Sequence, residues 1–316
     1  MSQVKQALDG NRLALSKLIT KIENGESEST EILDELFPFT NRGHIIGITG
    51  PSGSGKSSLV NQFVRELITR NDPPPHIAVI AVDPTSPFTG GAILGDRIRM
   101  RDVFEYPSVF IRSMASRGAF GGIAAATAAV AQVLDAVGFD PIIIETVGAG
   151  QSEVEIAGLA YTTIVVEAPG LGDDIQAAKA GILEIADIMV VNKSDKPTAL
   201  STAQSLEAML AIRMELAYGV KKTGNWTIPL IKTNAINAGG ITELIQAVES
   251  HRRYLIESGE WERKRRKNME TFLDRLIQNQ LLDQWQHSHQ AQDKQALLQA
   301  ILDKEITPYQ AVRQLI

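Results

Sequence analysis

Eight consecutive residues, Gly50-Pro51-Ser52-Gly53-Ser54-Gly55-Lys56-Ser57, have the types and spacing needed to hold a chain of phosphates. They follow the apolar run Ile45-Ile46-Gly47-Ile48 and precede a segment that reads as a helix from Ser58 to Ile68, the setting a phosphate-binding P-loop requires. Glycines let the backbone curl so that successive N–H groups meet phosphate oxygens, and the helix behind adds its positive end. Gly50, Ser52, Gly53, Ser54, Gly55 and Ser58 form this cradle. Lys56 is placed to reach the β- and γ-phosphates as a catalytic charge, and the Ser57 hydroxyl to ligate Mg²⁺.

Two strand tips supply carboxylates beside that loop. Asp83 ends the run Ile77 to Val82, ahead of Pro84-Thr85-Ser86-Pro87 and Gly90-Gly91-Ala92-Ile93-Leu94-Gly95-Asp96. Glu145 ends Ile142-Ile143-Ile144 and is followed by Thr146-Val147-Gly148. A hard cation prefers oxygen ligands, so Asp83 and Glu145 are candidate Mg²⁺ ligands. Glu145 occupies the Walker-B position and the Gly148 amide is placed to sense a γ-phosphate. Its extra methylene over aspartate favours contact with the ion through water. Ala149 follows Gly148 and the first glutamine is Gln151, so slow turnover without a partner is expected. The loop carrying Asp96 reads as a nucleotide-sensing switch, with Arg97 and Arg99 as charge stabilisers or partner contacts. Gly170-Leu171-Gly172-Asp173-Asp174-Ile175-Gln176, leading to Lys179, reads either as a capped helix start or as a second mobile loop near the phosphates.

The base is addressed by Asn192-Lys193-Ser194-Asp195, after the apolar run Ile188 to Val191. The Asp195 carboxylate can accept from guanine N1–H and its exocyclic amine, whereas adenine N1 would oppose it with a lone pair. Asn192 faces the other polar edge of the base, and Lys193 packs on the base or braces the P-loop. Lys232-Thr233-Asn234-Ala235 sits where many GTPases carry Ser-Ala. The Ala235 amide is the candidate guanine contact, and Asn234 departs from the usual serine.

A buried sheet must position these residues. Apolar runs at His44–Thr49, His76–Val82, Ser108–Ser113, Pro141–Thr146, Thr162–Val166, Ile188–Val191 and Ile228–Thr233 alternate with helical segments. That alternation predicts an α/β fold with a largely parallel sheet covered on both faces and ligands at the carboxyl ends of its strands. Ser2 to Ile22 reads as one amphipathic helix, followed by Thr30 to Leu36. Thr242 to Ile256 closes the sheet domain. Beyond it Met269, Phe272, Leu273, Leu276, Ile277 and Leu281 recur at helical spacing, and Thr307-Pro308 caps a last short helix. Expected domains are a helical extension over 1–40, a nucleotide domain over 41–258 and a dimerisation arm over 259–316. Arg263-Lys264-Arg265-Arg266-Lys267 reads as the solvated face of a helix.

With 44% hydrophobic and 22% charged residues the chain has ordinary globular composition, and a net charge of −6 argues against nucleic acid as its main partner. No cysteine is present, which excludes disulfides and thiolate chemistry. Charged residues interrupt Met1 to Leu18, and no stretch has the length and apolarity of a membrane span. A cytoplasmic protein without membrane contact is expected.

The segments Asp83–Pro87, Gly90–Asp96, Glu145–Glu153 and Gly172–Gln176 together resemble the MeaB/ArgK family over nearly the whole chain. The resemblance implies a P-loop NTPase of the SIMIBI class, and a Mg²⁺-dependent GTPase converting GTP to GDP. It also implies a homodimer that acts as chaperone to an adenosylcobalamin-dependent acyl-CoA mutase of the methylmalonyl-CoA type. By motif it adds Asp96 to Asp83 and Glu145 at the metal site. It places Asp173, Gln176 and Lys179 in an extra switch loop that relays nucleotide state to the mutase. Three other readings compete: an ATP-dependent kinase linked to basic amino-acid transport, a metallochaperone GTPase, and a nucleotide-sensing scaffold. Asn192 to Asp195 oppose the kinase, and the pair His287 and His289 is a poor metal site.

Overall fold

The computed structural model describes residues 2–83, 101–115, 125–146, 155–170, 183–218, 226–286 and 294–315. Seven strands form one sheet: β1 (Ile45–Thr49), β2 (Ile77–Asp83), β3 (Val109–Ala115), β4 (Ile142–Thr146), β5 (Thr162–Glu167), β6 (Ile188–Val191) and β7 (Leu230–Lys232). Their spatial order is β3-β2-β4-β1-β5-β6-β7, and every neighbouring pair is parallel. All seven expected runs became strands. β1 lies at the centre, so the loop after it opens between the tips of β4 and β5.

Alternate residues along β2 serve opposite faces. Ala78, Ile80 and Val82 pack with α6 (Ala125–Ala136) and with the amino-terminal helices α1 (Gln3–Leu8), α2 (Arg12–Asn24) and α3 (Ser29–Leu36). Ile77 and Val79 pack on the other face with α4 (Lys56–Arg70) and α8 (Ile241–Glu257). Between these helices in sequence lie α5 (Arg101–Phe104) and α7 (Ala199–Tyr218), and α7 covers Val165, Met189 and Val191 of β5 and β6.

The single amino-terminal helix read from the apolar spacing is two helices. Gly10 adopts φ +88°, and the Asn11 side chain accepts the Ala14 N–H to start α2. A left-handed glycine followed by an N-cap asparagine stops one helix and begins the next, which overrides a continuous hydrophobic period. Both helices bury their apolar stripe in the core, Leu18 and Ile19 completely.

Asp135, near the end of α6, accepts backbone N–H groups from Asn41, Arg42 (2.9 Å) and Gly43 (2.7 Å), and so seats the chain entering β1. Those donors are left without a partner on truncation. Asp135→Ala should therefore lower unfolding free energy by about 2–4 kcal/mol in a urea titration.

At the amino ends of the strands lies a buried polar chain. His44 Nε2 meets Thr162 Oγ1 at 2.7 Å, and Thr162 Oγ1 meets His251 Nδ1 at 2.8 Å. His251 Nε2 lies 3.4 Å from Asp187 Oδ1. Lys264, on α9 (Glu260–Gln286), donates to Asp187 Oδ2 and to the Tyr161 carbonyl, each at 2.8 Å. The expected solvated face of Arg263 to Lys267 is thus corrected at Lys264. Arg263 and Arg265 do pair with Glu260 and Glu262 one turn earlier, but Lys264 turns inward to the partly buried carboxylate of Asp187.

The chain divides into two compact units, Met1–Asn268 and Met269–Ile316. The second contains the rest of α9 with α10 (Lys294–Leu302) and α11 (Pro308–Leu315). The Thr307 hydroxyl accepts from Gln310 N–H while the Gln310 side chain accepts from Thr307 N–H, a reciprocal cap that starts α11. Within this unit Trp285 Nε1 donates to the Leu315 carbonyl at 2.9 Å. Leu273, Leu276, Ile277 and Leu281 of α9 are exposed.

Candidate nucleotide site

The loop between β1 and α4 is shaped by three glycines with positive φ: Gly50 at +137°, Gly53 at +79° and Gly55 at +90°. Gly55 also forms the left-handed N-cap of α4, so the helix starts at Lys56 with its first amides facing the loop end. Lys56 is buried, with Nζ on the carbonyls of Gly50 (2.7 Å) and Pro51 (3.0 Å). Ser54 is fully buried, and its hydroxyl oxygen has no hydrogen-bond partner among the described residues. Ser52, Gly53 and Ser58 are exposed.

Ser57 Oγ donates to Glu145 Oε1 at 2.6 Å, and both side chains are buried. The register of the sheet explains the meeting: Ile48 of β1 pairs with Glu145 of β4, so the residues just past β1 come to the tip of β4. One residue on, Thr146 Oγ1 donates to Thr49 Oγ1 at 2.9 Å. A hydroxyl and a carboxylate held together are hard oxygen donors suited to Mg²⁺. Among the described residues no group of three or more acidic or histidine side chains gathers to hold a metal ion. Asp83 is the last residue of β2, paired in register with Ala115. Asp96, Arg97, Arg99, Gly148, Gln151, Asp173, Gln176, Lys179, His287 and His289 lie outside the described residues.

The segment after β6 is bonded to the P-loop and to the segment after β7. Asn192 Nδ2 donates to the carbonyls of Ser54 (2.9 Å) and Gly55 (3.4 Å), and Lys193 Nζ donates to the Gly53 carbonyl at 2.7 Å. Lys193 takes φ +57°, a conformation that costs a non-glycine residue about 1 kcal/mol and persists where its surroundings hold it. On its other side Asn192 Oδ1 accepts from Thr233 Oγ1 (3.1 Å) and from the Ala235 amide (3.2 Å). Asn234 Nδ2 donates to Asp195 Oδ1 at 3.0 Å. The residues named from the sequence on β1, β4, β6 and β7 therefore converge at one end of the sheet.

Sequence reasoning gave Thr233 no role of its own and did not find the Asn234–Asp195 bond. Thr233 was legible only as a polar residue directly after an apolar run, a signal too common to single out. The partner of Asn234 lies 39 residues away, beyond any local pattern.

A family model described as "Methylmalonyl Co-A mutase-associated GTPase MeaB" matches residues 15–290. A Pyrococcus horikoshii relative assigned by name to the GTPases is 42% identical over 308 residues, covering 98% of this chain and 94% of its own. GTPase ArgK of Escherichia coli is 32% identical over 330 residues, covering 99% and 94%. The mouse protein named methylmalonic aciduria type A homolog, mitochondrial, is 29% identical over 295 residues, covering 87% and 68%. In fold, the crystal structure of an LAO/AO transport system kinase superposes with a TM-score of 0.73 at 24% identity, covering 99% of this chain and 95% of that one. A P-loop before α4, a carboxylate on its serine, Asn192 and Lys193 bonded to the loop and a family match over most of the length agree. This chain belongs to the MeaB/ArgK family of P-loop GTPases.

Proposed function

We propose that this GTPase acts as a nucleotide-controlled chaperone of an adenosylcobalamin-dependent acyl-CoA mutase, gating cofactor loading and protecting or reactivating the enzyme. The observation that carries the nucleotide part is the bonding of Asn192 and Lys193 to the P-loop carbonyls. It supports one site that takes phosphates and a guanine base together. The mutase part rests on the family description and on the name of the mouse relative.

In this reading Lys56 moves from the Gly50 and Pro51 carbonyls to the β- and γ-phosphate oxygens, and the P-loop amides neutralise the rest of the charge. Ser57 and Glu145 would hold Mg²⁺, with Asp83 and Asp96 as further candidate ligands. The ion, when bound, screens the phosphate oxygens. Gly148 senses the γ-phosphate, and Arg99, Asp173, Gln176 and Lys179 carry its presence to the partner. Asp195 reads guanine N1–H and the amine, and the Ala235 amide adds the guanine oxygen to its bond with Asn192. With Ala149 after Gly148, turnover is slow until the partner binds. The exposed apolar face of α9 supports a homodimer formed through the arm. No helix among the described residues is long and apolar enough to cross a membrane, which fits a partner in the cytoplasm.

The test is co-purification with a methylmalonyl-CoA-type mutase in GDP and in a non-hydrolysable GTP analogue, read together with the GTPase rate. Complex formation that depends on the nucleotide, with turnover raised about tenfold or more by the mutase, is the expected result. No complex in either nucleotide would remove the chaperone role and leave the GTPase assignment standing.

A further inference from the structure

Asn234 replaces the serine found at this point in many GTPases, and its surroundings give the replacement a definite task. Its backbone is fixed from both directions: its N–H donates to the Gly239 carbonyl at 2.9 Å and its carbonyl accepts the Gly239 N–H at 3.1 Å. Its side chain is fixed as well. Oδ1 accepts the Ile236 N–H at 3.0 Å, and Nδ2 donates to Asp195 Oδ1 at 3.0 Å.

The orientation of this amide follows from chemistry. A backbone N–H can only donate and an ionised carboxylate can only accept, so Oδ1 must face Ile236 and Nδ2 must face Asp195. Flipping the amide would break both bonds at once. Asn234 is 9% exposed, while Asp195 is on the surface. An exposed aspartate is free to rotate, and freezing it on binding opposes affinity. A buried, doubly held amide removes that freedom beforehand.

We propose that Asn234 is the positioning residue for guanine selection, holding the Asp195 carboxylate in the orientation that accepts from both N1–H and the exocyclic amine. This rests on the guanine reading of the site. Bonding through Oδ1 leaves Asp195 Oδ2 and the second lone pair of Oδ1 for the base. Asn234 also links that carboxylate to the turn that presents Ala235, because Ile236 N–H and Ala235 N–H are consecutive donors in one short segment. A serine at this position could donate to Asp195, but its one hydroxyl is shorter and would not span both partners.

The variants separate donation from loop shape. Asn234→Asp keeps an acceptor for the Ile236 N–H but replaces the donor with a charge facing Asp195. Asn234→Ala removes both bonds, and Asn234→Ser restores a donor only. The readout is the dissociation constant for GDP, for IDP, which lacks the exocyclic amine, and for ADP, measured on the full chain. The unaltered chain should favour GDP over IDP by roughly tenfold. Asn234→Asp should reduce that ratio to about threefold or less, Asn234→Ala should fall between, and Asn234→Ser should return most of it. ADP affinity should stay within about twofold throughout, since ADP uses the phosphate half alone.

An undiminished GDP-to-IDP ratio in Asn234→Asp overturns the proposal. So does a parallel loss of ADP and GDP affinity, which would mark a collapsed loop. If the unaltered chain does not distinguish GDP from ADP, the guanine reading itself fails.

Discussion

Gly50→Ala should abolish nucleotide binding and lower unfolding free energy by about 3 kcal/mol or more, a large loss for a single methyl group. A Cβ at Gly50 would stand 2.1 Å from the Val166 carbonyl oxygen and 2.9 Å from its carbon, at φ +137°. Those atoms are backbone of β5, bonded into the sheet beside β1, and cannot step aside as a side chain could. Gly25→Ala is the control. That glycine also has positive φ, +65°, but nothing lies within 4 Å of its Cβ position. It should lose only about 1 kcal/mol, the conformational part alone. Thermal denaturation of both variants, with GDP titration of each, separates collision from backbone strain. A Gly50→Ala protein that melts and binds GDP like Gly25→Ala would refute the close approach to β5.

Acid should weaken this fold well above the carboxylate range, through His44 and His251. Burial pushes both histidines down, His44 to about 3 with help from the charge of Arg252, and His251 to about 4 despite the opposing pull of Asp187. In the unfolded chain each titrates near 6.5. The folded state therefore prefers the neutral rings, and the unfolded chain takes up more protons once the pH drops. Nothing is lost above about pH 6.5. The loss begins there, grows as pH falls, and levels off only below the folded values. At pH 5 it amounts to about 2 kcal/mol per histidine.

The geometry gives the same sign. One Thr162 hydroxyl serves both rings, donating once and accepting once. With His251 Nε2–H directed at Asp187, its Nδ1 accepts from Thr162, and His44 Nε2–H donates to Thr162. Protonated His251 would turn Nδ1 into a second donor facing the Thr162 hydroxyl. Urea unfolding between pH 7 and 5 should show this slope in the unaltered chain and a reduced one in His44→Gln/His251→Gln. Equal slopes would show that the pair does not control the response.

The parallel sheet was legible because its inner strands are buried on both faces, so Ile77 to Val82 and Ile142 to Ile144 appear as unbroken apolar runs. The P-loop was legible because its demands are local: glycines at positive φ, a lysine and a serine at the start of a helix. The break at Gly10 was not, because the apolar period of α1 and α2 continues across it in sequence while the backbone does not. The histidine chain was invisible for a different reason. Its bonds join residues 118 and 89 positions apart, and His44, Thr162 and His251 each look ordinary among their neighbours. Lys264 was read as solvated because a basic run does not reveal which member faces a partly buried carboxylate. The exchange of serine for Asn234 could be seen, but its bond to Asp195, 39 positions away, could not.

In the proposed site, the bonds from Asn192 and Lys193 to the P-loop carbonyls give recognition a shared frame. Base and phosphates would dock there onto parts already fixed against each other, so little ordering would remain when the nucleotide arrives. Guanosine and pyrophosphate joined in one molecule then gain from linkage what two separate fragments would lose in translational freedom. The affinity of the whole nucleotide belongs to the distance between two half-sites, and that distance is kept by two side chains of β6's trailing loop.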